Sequence, residues 1–377
     1  MSPATTAALD RAHLAFALAV HRGVAPDPTV PACWSPYSVA SALGLAGTGA
    51  RGQTRDEIAQ LLLGDPAGSL AEQAAMLSAA AELDDEPGRS EPPLLGVSNT
   101  LWTRADLPIT AQFTDDVRSW PNGTVREAPF ATDSETARGM INAEVDDTTR
   151  GLIPELVRRG ELDSKTVAAL VNALYLKSSW RNAFPEGATA PGPFHAPGGQ
   201  LELPTMRLVK QFGYAHRNGW QVVVLPALGG LDAITLLPDT ELGQAEPALD
   251  AAALADLFSA PAPARLELYL PRFRVKVRSP LTQALQELGV HRMFTDAAEF
   301  SGISEVPLAV DKVLHDAVLK VDEHGFEGAA ATAMVMRMAA AVRQDPPIVV
   351  RVDRPFLFLV RHRATGAVYF LTRFTGS

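Results

Sequence analysis

Three observations predict a fold that contains both helices and β-strands. Leu9, Leu14, Phe16 and Val20 are spaced as on one side of a helix, so the chain begins with an amphipathic helix. Ser35-Pro36 opens a second helix, since serine and proline favour a helix start. The stretch 318–323 has the apolar/polar alternation that indicates a strand.

A tract of small residues follows this strand, and its two sides differ at a period of two. Positions 326, 328, 330, 332, 334, 336 and 338 carry Phe, Gly, Ala, Thr, Met, Met and Met. The other side carries both charges, Glu327 and Arg337. This pattern is typical of a strand with one buried side. Asp345-Pro346-Pro347 cannot continue a ladder, so a strand-competent segment lies beside a loop.

Composition excludes several classes of function. The chain of 377 residues has a formal net charge of −10, which argues against nucleic acid and anionic membranes as partners. Cys33 is the single cysteine, so no internal disulfide forms, and the scattered histidines have no metal-ligand spacing. We expect neither metal nor cofactor. The apolar run 14–20 is too short for a signal core or a membrane span, which favours a cytoplasmic location, or secretion if the chain was trimmed.

Two motifs allow other interpretations. Gly47 to Gly52 fits the G-x-G-x-x-G pattern of dinucleotide sites, but that motif requires a preceding strand. Because a helix runs into these glycines, we predict a turn between two helices. Asn122-Gly-Thr is a glycosylation sequon, and Trp120-Pro-Asn-Gly123 is first of all a turn signal. A hydrolase is not indicated, since the chain has no G-x-S-x-G motif.

Eight motifs in order along the chain resemble those of the serpin family of serine protease inhibitors. They are 35–39 with 52–58, 141–153, 170–177 with Trp180 and Phe184, 270–273, 288–290, 300–303, 322–332 and 353–359. The resemblance implies one domain over residues 1–377 in the α+β class. It also implies the serpin fold: a large central mixed β-sheet, two smaller sheets, eight or nine helices and an exposed reactive-centre loop at about 324–347.

The resemblance implies a hinge at the start of this loop and a scissile bond further on. The hinge positions are Glu323, Gly325, Phe326, Glu327, Gly328, Ala329, Ala330, Ala331 and Thr332. Counting sixteen residues beyond Glu323, as in the family, gives Ala339-Ala340 as the reactive bond. The alternates are Met338, Arg337 and Arg343. Small or unbranched apolar side chains suit elastase-like and subtilisin-like proteases, whereas either arginine would redirect specificity to trypsin-like enzymes.

Two further groups match positions that control opening of the sheet. His315, Asn172, Ser35 and Ser38 match the shutter, a small polar network in an apolar core. Taken alone, His315 is equally explained as a buried histidine with a satisfied hydrogen bond. Glu323 and Arg272 match an ion pair at the top of the sheet, the breach, where Trp180 packs. The alternative for that pair is a surface ion pair that contributes little to stability.

The expected mechanism is inhibition by a suicide substrate: a protease acylates the loop, and loop insertion traps the covalent acyl complex. We expect a monomer with a metastable native fold, for which loop–sheet polymers are a hazard. Phe326 departs from the family pattern, because the first inserted residue is normally small or β-branched. Gly328 departs as well, since glycine weakens a strand by about 0.5–1 kcal/mol. These departures keep open a non-inhibitory serpin that acts as a carrier, a binding protein or a simple substrate.

Overall fold

The computed structural model describes residues 3–85, 92–326 and 346–376. These ranges contain nine α-helices, in agreement with the eight or nine expected. The helices are α1 (Pro3–Val24), α2 (Pro36–Gly49), α3 (Gly52–Leu63), α4 (Leu70–Ala81), α5 (Ala111–Asp116), α6 (Ser134–Thr149), α7 (Leu242–Ala245), α8 (Ala251–Ser259) and α9 (Leu281–Glu287).

Local sequence explains where the first helices begin and end. The Ser35 side chain caps α2 by accepting a hydrogen bond from the Ser38 N–H, and Pro36 occupies the first turn. α2 ends at Gly49 and α3 begins at Gly52, so the predicted turn between helices consists of Ala50 and Arg51, inside the glycine motif. Asn122 has a φ of 49° next to Gly123, which fits the turn predicted there.

The described ranges also contain fifteen strands in two sheets. The six-stranded sheet consists of β2 (Leu94–Thr103), β3 (Gly123–Glu127), β4 (Ala168–Ser179), β10 (Phe273–Ser279), β11 (His315–Val321) and β12 (Gly325–Phe326). The nine-stranded sheet consists of β1 (Ala32–Trp34), β5 (Ala190–Ala196), β6 (Gly199–Arg217), β7 (Trp220–Pro226), β8 (Leu231–Pro238), β9 (Ala262–Pro271), β13 (Ile348–Arg351), β14 (Phe356–His362) and β15 (Val368–Phe374).

The six-stranded sheet is mixed, as expected of the central sheet. Its order is β10-β11-β12-β4-β2-β3, and among the described strands of this sheet only the β2–β3 pair is parallel. The two smaller sheets that we expected are joined into one. The 19-residue strand β6 connects them, because it pairs with β5 and β9 along its first part and with β7 at its end.

The two faces of the six-stranded sheet pack against different elements. On one face, which we call the α6 face, Val171 and Ala173 of β4 and Val318 of β11 pack with Ile141 and Val145 of α6. The opposite, core face contributes to the main hydrophobic core through Leu170, Leu176, Ala317 and Leu319. Since side chains alternate along a strand, even-numbered β4 residues and odd-numbered β11 residues lie on the core face.

Candidate functional site

In the part of the chain that the structure describes, β4 and β11 do not pair with each other, and β12 lies between them at one end, which we call the upper end. There Phe326 lies opposite Val321 of β11 and Ser178 of β4. Among the described residues, β4 and β11 are joined through β12 alone, and neither has a described partner on this side below Phe326. We call the part below Phe326, flanked by 168–177 of β4 and 315–320 of β11, the insertion gap.

A tight turn fixes the upper end of the gap. The Asp322 N–H donates to the Gly325 carbonyl over 3.0 Å, which closes the turn between β11 and β12. Trp180 holds this turn to β4, since its backbone N–H donates to His324 O and its ring N–H to Asp322 O, both over 2.8 Å. A Cβ at Gly325 would lie 2.0 Å from the Ser178 oxygen, so this position requires glycine.

The position of Phe326 corrects one of our expectations. We expected this side chain outside the sheet, as the first that has to enter it. Instead it is 0% exposed, and its ring packs edge-on against Trp180 with centroids 5.6 Å apart. The ring buries a large apolar area and the backbone gains ladder partners on both sides, so this residue already lies in the sheet. Gly325 and Phe326 therefore belong to the sheet and not to an exposed loop, and His324 lies in the turn before them.

Glu323 and Arg272 form the ion pair that matches the breach. The Arg272 Nε and Nη2 donate to Glu323 Oε1 over 3.2 and 2.5 Å, and the Thr189 hydroxyl donates to the same oxygen. Burial alone would raise the pKa of Glu323, but the bonds from Arg272 and Thr189 outweigh it and lower the pKa. The Glu323 side chain is 2% exposed and that of Arg272 46%, so this is a partly buried pair and not a surface one.

The shutter residues divide into two groups. In the first, the Ser35 N–H donates to His315 Nε2 over 2.9 Å, and the Ser38 N–H donates to Ser35 Oγ over 3.1 Å. His315 lies at the lower end of β11, and burial lowers its pKa to about 4. The ring is therefore neutral at pH 7 and accepts a hydrogen bond. His315 is therefore a buried histidine with a satisfied hydrogen bond, which is the alternative that the sequence left open.

Asn172 belongs to the second group. Its amide donates to Asn99 Oδ1 on the neighbouring strand β2, and the Asn99 amide donates to Pro121 O over 2.6 Å. Asn172 Oδ1 and Ser38 Oγ are buried and have no hydrogen-bond partner among the described residues. The lower part of the insertion gap thus contains polar atoms that accept no described hydrogen bond, although a buried polar atom without a partner lowers the stability of the fold.

The remaining hinge and loop positions lie outside the described residues. They are Glu327, Gly328, Ala329, Ala330, Ala331, Thr332, Arg337, Met338, Ala339, Ala340 and Arg343. Within the ranges that the structure describes, no group of three acidic, histidine or cysteine side chains is arranged to hold a metal ion. No described helix is long and apolar enough to cross a membrane.

The sequence did not predict two residues of the site, Thr189 and Asn99. Thr189 follows β4 by ten residues and reaches Glu323 only because the chain folds back over the sheet. Asn99 pairs with Asn172 across the antiparallel β2–β4 register. An asparagine within the apolar stretch 94–102 was the only hint, since a buried amide needs a partner.

A comparison with protein families matches the serpin model, described as serine protease inhibitor, to residues 11–376. The chain belongs to the serpin family. It is 32% identical to the leukocyte elastase inhibitor of Sus scrofa over 384 aligned positions, which cover 97% of this chain and 98% of that protein. It is 30% identical to a serpin-like protein of Thermococcus kodakarensis, over 90% of this serpin and 79% of the relative.

Solved serpin structures have the same fold. Human thyroxine-binding globulin, crystallised in complex with thyroxine, superposes with a TM-score of 0.84 at 22% identity, and the match covers 98% of each chain. Uncleaved ovalbumin superposes with a TM-score of 0.83 at 24% identity, over 98% of this serpin and 100% of that chain. The fold is therefore shared with a protein that is named for thyroxine, whereas the Sus scrofa relative found by sequence is named for a protease.

Proposed function

We propose that this serpin inhibits serine-type endopeptidases as a suicide substrate. The hydroxyl of the protease serine attacks the carbonyl carbon of Ala339, the amine of Ala340 leaves, and an ester joins the two proteins. The loop then enters the insertion gap as a new strand of the six-stranded sheet. Displacement of the acyl-enzyme prevents hydrolysis of the ester. The partner is thus a serine protease, held in a covalent complex.

The observation that carries this proposal is the position of β12 in the six-stranded sheet. Gly325–Phe326 already pairs with both β4 and β11, so a strand that continues from Phe326 needs no change of register to run down the gap. The next residues, Gly328 and Ala330 on the core face, are small. Insertion therefore meets little steric resistance at its first steps, which favours trapping over hydrolysis.

The target class follows from the residues around the reactive bond. Ala339 and Ala340 fit the shallow primary pockets of elastase-like and subtilisin-like enzymes. The name of the Sus scrofa relative, leukocyte elastase inhibitor, supports the same class. Arg337 and Arg343 are the positions at which a trypsin-like enzyme would cut instead.

A second candidate function is that of a non-inhibitory binding protein. The observation in its favour is Phe326, whose ring is locked against Trp180, together with the similarity in fold to thyroxine-binding globulin. In that case the hinge would hold the sheet in one arrangement, and cleavage would leave active protease.

Incubation with a panel of proteases and denaturing electrophoresis test the proposal. We expect an SDS-resistant complex with an elastase-like or subtilisin-like enzyme, and a released peptide that begins Ala-Ala-Val-Arg-Gln at position 340. A protease with its catalytic serine blocked is the control and should give no complex. A peptide that begins at Gln344 would assign the reactive bond to Arg343. Cleavage by every enzyme without any complex would leave only the second candidate.

A further inference from the structure

The chain contains two Asn-Gly pairs, Asn122-Gly123 and Asn218-Gly219, and the fold places them in different surroundings. In such a pair the backbone nitrogen of the glycine can attack the side-chain carbonyl carbon of the asparagine, because glycine has no Cβ to hinder the approach. The attack gives a succinimide ring, which water opens. Whether a pair reacts in a folded protein depends on how freely its peptide bond turns towards the side chain.

Asn122-Gly123 is held by hydrogen bonds from both of its residues. The Gly123 N–H donates to Trp120 O over 3.0 Å, and the Asn122 amide donates to Val97 O over 2.9 Å. Gly123 is buried, and a Cβ there would lie 1.9 Å from the Val117 oxygen, so the backbone is closely packed. At this pair the attacking nitrogen and the leaving nitrogen are therefore both engaged.

Asn218-Gly219 forms the exposed two-residue turn between β6 and β7, next to the paired residues Arg217 and Trp220. The φ angles of 52° and 77° at Asn218 and Gly219 are those of a type I′ turn. A Cβ at Gly219 would meet no atom within 4 Å. The Gly219 N–H donates no hydrogen bond to the described part of the chain. The attacking nitrogen of this pair is therefore available, unlike that of Gly123.

Rotation of one peptide bond would bring the reacting atoms of this turn together. When the central peptide of a type I′ turn flips, the turn becomes type II′, with ψ near about −120° at its first central residue. For Asn218 this rotation turns the Gly219 nitrogen towards the side-chain Cγ, while Arg217 and Trp220 stay paired. The Gly219 carbonyl accepts from the Asp239 N–H over 2.8 Å and belongs to the next peptide, so this hydrogen bond does not have to break.

We propose that Asn218 is a site of spontaneous deamidation in the folded protein and that Asn122 is protected from it. The Gly219 nitrogen loses its proton and forms a bond to Cγ of Asn218, the bond from Cγ to Nδ2 breaks, and ammonia leaves. Water then adds to either carbonyl of the succinimide, and the ring opens to aspartate or isoaspartate without any oxidant or reductant. Either product adds a negative charge, and isoaspartate also lengthens the main chain of the turn. This modification does not depend on protease inhibition.

The new carboxylate would lie against α8. The Asn218 amide donates to Asp256 Oδ2 over 3.2 Å, and Arg217 Nε lies 2.6 Å from the same oxygen. After deamidation an acceptor replaces this donor, so that two carboxylates share one arginine. The modification should therefore weaken the contact between the β6–β7 turn and α8.

Asn218→Asp tests this consequence of the modification. The variant should melt on the order of 1 °C below the wild type at low salt, because the two like charges are partly exposed. The difference should shrink in concentrated salt, which screens exposed charges. Asp256→Asn removes the second carboxylate, and in that background Asn218→Asp should leave the midpoint unchanged. A loss of equal size in both backgrounds would overturn the proposed weakening of the contact with α8.

The site itself is tested by incubating the full chain at pH 8, both folded and in concentrated urea, and by mass-spectrometric peptide mapping against a sample taken at time zero. Each folded rate is divided by the rate of the same asparagine in urea, which removes the effect of neighbouring residues in the sequence. This ratio should be higher for Asn218 than for Asn122 by on the order of tenfold or more, because the hydrogen bonds at Asn122 have to break before it reacts.

Gly219→Ala is the matched variant, since the added methyl group hinders the attack. It should slow deamidation at Asn218 and leave the rate at Asn122 unchanged. Equal ratios for the two asparagines would overturn the proposal. A folded chain in which Asn218 stays intact while it reacts in urea would show that the turn protects it, and would overturn the proposal as well.

Discussion

At the upper end of the insertion gap Phe326 already lies between β4 and β11, whereas at the lower end the same strands flank polar groups and an apolar cavity. The upper end is held by a closed turn, an edge-on aromatic pair and a partly buried ion pair. The lower end has two buried polar atoms without a described partner. In one sheet, the strand pairing of β4 and β11 with β12 is thus already made at the upper end, whereas at the lower end both strands could pair with further residues.

This difference indicates which part of the site stores free energy. Contacts at the upper end exist in the intact chain, so they stabilise intact and cleaved forms alike. Only contacts that form lower down can make the cleaved form more stable than the intact one. Metastability would therefore be a property of the insertion gap, 168–177 of β4 and 315–320 of β11, and not of the upper end that Phe326 already fills.

Cleavage within the loop should give the largest effect. A cut between 337 and 343 should raise the melting midpoint by on the order of 10 °C. New strand pairing and methionine burial would add several kcal/mol to the free energy of unfolding, and each kcal/mol raises the midpoint by about 2 °C or more. Differential scanning calorimetry of chains cleaved by an elastase-like enzyme measures this. Identical midpoints before and after cleavage would remove the distinction between the two ends of the gap.

Phe326→Ala tests whether the upper end is complete in the intact protein. Loss of a fully buried phenylalanine costs about 3–5 kcal/mol, so both intact and cleaved chains should lose stability by similar amounts. Denaturant titration of the two forms compares them. If the cleaved form alone were destabilised, Phe326 would enter the sheet only after cleavage. Phe184→Ala, another buried ring near the same turn, is the control for general loss of packing.

Arg272→Met should destabilise the intact chain by about 2 kcal/mol, because Glu323 would lose charged hydrogen bonds while it stays buried. Arg207→Met is a matched control: that side chain is also 46% exposed, but its partner Glu267 is 19% exposed against 2% for Glu323. Arg207→Met should lower the free energy of unfolding by less than about 1 kcal/mol.

The same pair predicts a pH dependence. Since the pKa of folded Glu323 is lowered, the pair contributes fully above the unfolded value of about 4.3 and is lost as the pH falls through the folded pKa. Urea titrations at pH 7 and pH 3.5 should therefore show a smaller Arg272→Met effect at the lower pH. An effect of equal size at both would mean that Arg272 acts through packing.

His315, at the lower end of the gap, should give an effect that appears only when the pH is lowered. Its pKa falls from 6.5 to about 4 on folding, so the unfolded chain binds more protons between these values and stability drops as the pH falls. From pH 7 to pH 5 this contribution amounts to about 2 kcal/mol. His315→Gln, whose amide oxygen can accept the Ser35 bond, should reduce the loss by that amount. If the variant lost as much stability between pH 7 and pH 5 as the wild type, the loss would be due to other buried histidines, such as His13.

The sequence was informative where a pattern repeats locally. The alternation at 318–323, the capped start of α2 and the turn at Gly47–Gly52 were all predicted, because spacing and turn chemistry determine them. The join between the two smaller sheets was not. β6 is largely exposed and contains Pro204, so nothing in its pattern distinguishes one long strand from two short ones.

For the site, the type of residue was predictable but its surroundings were not. Phe326 was recognised as unusual, yet whether it lies in or outside the sheet depends on the fit against Trp180, which lies far away in the sequence. Glu323 and Arg272 were paired correctly by resemblance, while the burial that makes the pair strong depends on Thr189 and the chain around it. Tertiary packing therefore decides the energetics at positions that the motif only identifies.

The two anchors of the loop impose a limit that chain length alone sets. Phe326 is fixed in the six-stranded sheet, and Ile348 begins β13 at the edge of the nine-stranded sheet. Residues 327–347 span at most about 75 Å when fully extended. Each residue that descends the gap uses about 3.4 Å, and the rest of an uncut chain has to return over the same distance. The descent therefore stops after about ten residues at most, near Met336, so only cutting the chain lets the strand settle at the bottom without tension.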